Sequence, residues 1–120
     1  MPSQDPERRL RDILDHIALV RAWIDGMTFE EFERDAKTRY AVQMALMIMG
    51  EAAESLPAEM QALHSDVHWR GLADIGNTFR HQYWAVEHQI TWAGLQHELA
   101  PLEQAVRAEL TRSTGAGGPA

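Results

Sequence analysis

Apolar residues in this chain recur at three- and four-residue steps, and no segment alternates convincingly at a step of two. Leu10, Ile13, Leu14, Ile17, Val20 and Ile24 make one such stripe, and Ile90, Leu95, Leu99, Leu102 and Val106 make another. A helix returns a side chain to the same face every 3.6 residues and a strand every two, so this pattern selects helices and leaves no sheet. The fold class is therefore all-α: an up-and-down antiparallel helix bundle of four main helices plus short ones. A length of 120 residues supplies one core and is too short for two.

The stop and start signals divide the chain. The first helix is expected from about Pro6 to Asp25, closed by Gly26. Thr28 with Glu31 three residues on reads as a capping box over a short helix carrying Phe29 and Phe32. Asp35 is placed to cap a helix from Ala36 to Leu56, rich in alanine and methionine. That helix is apolar on more than one face around Met44 to Met49, which predicts a central position or burial against a partner. Pro57 stops it and opens a short helix to Leu63. After a turn at Ser65 and Asp66, a helix is expected from Val67 to Tyr83. The last runs from His88 to Leu110, with Pro101 expected to kink or restart it. The domain spans 1–112 in this reading, and the glycine-rich residues 113–120 form a disordered tail.

Composition narrows the function classes. There are no cysteines, which removes disulfides and thiolate metal sites. No apolar run approaches the ~20 residues of a membrane span, and the N-terminus lacks the apolar core of a secretory signal. A cytoplasmic location is the expectation, with no membrane partner. The net charge of −7 argues against broad nucleic-acid binding, which depends on neutralising phosphates, but leaves room for a small basic cleft. The cations are ten arginines and Lys37 alone. Arginine offers bidentate phosphate contacts that lysine cannot.

The richest chemistry lies in Asn77-Thr78-Phe79-Arg80-His81-Gln82-Tyr83. On a helix, Asn77 and His81 share a face at i, i+4, and Arg80 and Tyr83 share a neighbouring one at i, i+3. An imidazole beside a fixed positive charge suits metal-free cleavage of a phosphodiester: His81 moves a proton and Arg80 stabilises charge on phosphorus. The plainer reading is a surface ion pair for Arg80 and a satisfied polar contact for His81. Asn77 either fixes the His81 tautomer or contacts phosphate, or else bonds a backbone carbonyl across a helix interface. Tyr83 contacts a base, receives a modification, or packs with its hydroxyl at the rim. Glu51, beside Gly50 on the most apolar helix, either pairs with an arginine across the bundle or lines a cleft. Gly50 itself reads as a close helix approach, because glycine inside a helix costs roughly 1 kcal/mol relative to alanine. His64 and His68 stand at i, i+4 but straddle a turn and have no third ligand, so no metal and no cofactor is assigned. His16, His88 and His97 carry no assignment. Trp23, Trp69, Trp84 and Trp92 read as core or interface anchors.

These residues together resemble the HepT-like family of the HEPN superfamily, the toxin half of HepT/MntA toxin–antitoxin systems. The resemblance covers about Arg9 to Leu110. Its landmarks are Arg11-Asp12-Ile13-Leu14, Ala41-Val42 leading into Ile48-Met49-Gly50-Glu51-Ala52-Ala53, then Pro57, Trp69, Asn77 with His81-Gln82-Tyr83, and Trp92. The resemblance implies a HEPN-like bundle, a homodimer with the motif helices facing across a cleft, and a metal-independent endoribonuclease acting on RNA. It also implies a minimal nucleotidyltransferase antitoxin that transfers AMP to the motif tyrosine, which matches Tyr83. The family's motif arginine falls at Gly76, whereas an arginine stands one turn later at Arg80. The alternative is therefore a catalytically weak or inactive HEPN module that binds RNA, a nucleotide or the nucleotidyltransferase.

Overall fold

The computed structural model describes residues 5–82 and 86–113. Among them are seven helices and no strand: α1 (Pro6–Ile24), α2 (Phe29–Arg34), α3 (Ala36–Glu54), α4 (Ala58–Ala62), α5 (Trp69–Gln82), α6 (His88–His97) and α7 (Leu99–Ser113). The all-α expectation holds. The main helices are α1, α3, α5 and the α6–α7 pair. No helix is long and apolar enough to cross a membrane, among the described residues.

The local signals act as their chemistry dictates. The Asp5 side chain accepts from the Arg8 N–H to open α1, and Gly26 leaves it at φ 75°. Thr28 and Glu31 form the reciprocal capping box, with the Thr28 hydroxyl accepting from Glu31 N and the Glu31 carboxylate accepting from Thr28 N. Asp35 accepts from both the N–H and the hydroxyl of Thr38, which holds its carboxyl below the usual carboxylate range. The final helix departs from expectation. It is two helices broken at Glu98, ahead of Pro101 rather than at it. Pro101 thus falls in the first turn of α7, where its missing N–H costs little. Ser113 ends α7, and the rest of the expected tail, 114–120, lies outside the described residues.

Leu10, Ile13, Ile17 and Val20 of α1 meet Val42, Ala45 and Met49 of α3 and Leu102 and Val106 of α7 in one core. Each large apolar side chain buried there stabilises the fold by about 1.5–3 kcal/mol. Phe29 and Phe32 close one end against Trp92, at ring-centroid distances of 6.3 and 5.1 Å. At the other end the Trp69 indole donates to the carbonyls of Gln61 and His64, and Gln61 donates to the Ala53 carbonyl. His64 Nε2 lies 2.6 Å from the Glu109 carboxylate, which is only 4% exposed. His64 therefore ties the α4–α5 corner to α7. His68 instead folds its ring over Gly71. No group of residues suited to a metal occurs among those described. Ile90, expected inward, is 60% exposed.

The closest approach of backbones is between α3 and α5. A Cβ built on Gly50 would lie 2.8 Å from the Leu72 carbonyl oxygen and 3.6 Å from Gly76 Cα. A Cβ on Gly76 would lie 3.2 Å from the Leu46 oxygen and 3.4 Å from Met47 Cα. Gly50 faces Leu72 to Gly76 and Gly76 faces Leu46 to Gly50, so the helices run antiparallel with two glycines at their crossing. Backbone cannot swing aside as a flexible side chain can. Gly50→Ala should therefore destabilise the protein by about 1–3 kcal/mol in a denaturant titration, despite alanine's better helix propensity. Gly76→Ala, with more room, should cost less.

Candidate functional site

The glycine crossing fixes which face of α5 is open. Gly76 and Phe79 are buried. Asn77, Arg80 and His81 are all exposed, and none of their side chains has a hydrogen bond or ion pair within the described residues. Arg70, Asp74, Asn77 and His81 follow one another at helical spacing along the outer stripe, and all four are exposed. Arg80 lies between that stripe and α3. Tyr83, the expected modification site, and Trp84 lie outside the described residues.

In an antiparallel pair, the position just after the contact stripe falls on the same flank of both helices. Glu51 follows Gly50 and Asn77 follows Gly76, so both sit on one flank, together with Arg80 and His81. The α3 side of this flank is apolar. Tyr40 and Met44 are each 56% exposed, and Met47 and Ile48 are half-buried. Glu51 is exposed and pairs with no described arginine, so the cross-bundle pairing weighed above does not form. A polar triad of Asn77, Arg80 and His81 therefore borders a patch of methionine, tyrosine and isoleucine on the neighbouring helix.

Gly76 has a structural reason. It points at α3, where even a methyl group is tight, so an arginine there has nowhere to go. Arg80, one turn on, clears the crossing and reaches solvent. The cation thus sits next to His81 in sequence and on the open side of the helix.

Two features lay beyond sequence reasoning. Arg39 Nη1 stands 3.4 Å from His88 Nε2, and Arg39 Nε donates to the Glu33 carbonyl at 3.0 Å. These two are 49 positions apart, and no spacing signal links them. A cleft of about 630 Å³ runs along the other side of α5, lined by Leu72, Ile75, Val86, Ile90, Leu95 and Leu102. Its lining is mostly apolar, with Asp74 and Glu98 as its acidic members, which is unsuited to a phosphate backbone.

An open arginine–histidine pair on one helix offers donors of the kind that bind phosphate oxygens. A family profile described as ribonuclease HepT-like matches residues 13–109. A Methanocaldococcus jannaschii protein, named as an inferred RNase, is 34% identical over 77% of this chain and 76% of its own. A Thermococcus cleftensis protein named "Probable ribonuclease HepT" is 32% identical over 78% of this chain and 86% of its own. A Caldanaerobacter subterraneus protein, also named as an inferred RNase, is 31% identical over 89% and 96%. No solved structure matches the chain. The chain belongs to the HepT-like ribonuclease family.

The packing of Gly76 yields a direct expectation. Gly76→Arg should lower the melting temperature sharply and yield no gain in any activity, as read by thermal unfolding beside an RNA-cleavage assay. A folded, more active variant would show that the crossing yields and that the position is a vacant catalytic slot.

Proposed function

We propose that this protein is a metal-independent endoribonuclease of the toxin type, with His81 and Arg80 as its catalytic residues. The single observation that carries this reading is the open, unpaired Asn77–Arg80–His81 face, held outward by the glycine crossing. It agrees with the family and with relatives named as ribonucleases.

The chemistry follows from the groups present. A base removes the proton of a ribose 2′-hydroxyl, the 2′-oxygen bonds to the adjacent phosphorus, and the bond from phosphorus to the 5′-oxygen breaks. The leaving oxygen takes a proton, and the product carries a 2′,3′-cyclic phosphate. Histidine suits both proton transfers near neutral pH. The guanidinium of Arg80 opposes the charge that grows on the phosphoryl oxygens, an interaction stronger in the transition state than in the ground state. Asn77, one turn before His81, orients the imidazole or a phosphate oxygen.

The apolar flank of α3 supports a homodimer in which two such faces meet. Tyr40 and Met44 are each 56% exposed, and they lie on the flank that carries the polar triad. A dimer closed there brings two His81 imidazoles to one cleft, so that one acts as base and the other as acid. A minimal nucleotidyltransferase is the proposed antitoxin, acting on Tyr83. An AMP group there would add negative charge and bulk beside Arg80 and His81 and repel RNA. Glu51, on the same flank, is proposed as a cleft residue.

The alternative, a weak or inactive binding module, draws on Gly76 and on the net charge of −7. Packing accounts for that glycine without invoking lost catalysis, so the active reading is favoured. Purified protein in a chelator should cleave RNA and leave cyclic phosphate ends. His81→Ala should abolish cleavage, and Arg80→Ala should slow it by ~10²–10³ with folding intact. Cleavage that survives His81→Ala would remove the assignment.

A further inference from the structure

We draw no further inference here: the strongest candidate, the mostly apolar cleft of about 630 Å³ between α5 and the α6–α7 pair, has no unpartnered buried polar side chain aimed into it among the described residues, and nothing in the structure shows what covers it.

Discussion

Two glycines, Gly50 and Gly76, let the backbones of α3 and α5 come nearly into contact, and the geometry of the site descends from that approach. The contact sets the rotation of α5, since Gly76 must point inward and Phe79 follows it. Asn77 and His81, about 100° and 140° around from Gly76, then face solvent, and Arg80, about 40° around, leaves the edge of the contact on the same flank and is exposed too. It also sets the register, so that Met44 and Tyr40 of α3 border Arg80 and the end of α5. A larger side chain at either glycine would push the helices apart and rotate or lift the motif. Glycine inside a helix is unfavourable by about 1 kcal/mol at each position, and close packing offsets that cost.

The same constraint explains where the cations are. An arginine cannot occupy position 76, because the methylene chain would have to pass through α3. Position 80 is the next turn and is free. The protein as a whole is acidic, and long-range potential therefore repels RNA. A site in such a chain works only through cations left unneutralised at short range. Four of the ten arginines are paired to glutamates elsewhere on the surface, while Arg70 and Arg80 on α5 are open. Screening by salt weakens the distant repulsion and the local attraction alike, but contacts within a partly closed cleft are screened less.

How much of this could be read from the sequence follows the range of the interactions involved. Caps and stripes are local: Thr28 with Glu31, and Asp35, each act within three residues, and each is legible in the sequence. The close approach at Gly50 was legible too, because glycine within an apolar helix has few other reasons. Its partner was not, since the chain gives no sign that Gly76 lies opposite. Gly76 therefore reads as a departure from a motif until the crossing is seen. The break at Glu98 was missed because Pro101 is the louder signal, yet proline is well tolerated in a first turn. Ile90 fits the helical stripe but sits at the rim of a cleft between α5 and α6, which periodicity cannot reveal. His64 with Glu109 and Arg39 with His88 are pairings across 45 and 49 positions, and only the fold brings them together.

The exposed apolar flank gives the proposed dimer a physical role beyond holding two copies together. In the proposed reaction one His81 imidazole takes a proton at the start and the other gives one at the end. In a single exposed face, water would compete for both roles and would solvate the charge that Arg80 is meant to stabilise. Closing Tyr40, Met44, Met47 and Ile48 against a second copy would remove water from beside the triad and lower the local dielectric. Each guanidinium–phosphate interaction would then be stronger. The methionines suit this work, being flexible enough to fill an irregular seam around a strand of RNA. On this view the apolar patch and the polar triad are one device: the first excludes the water that would blunt the second.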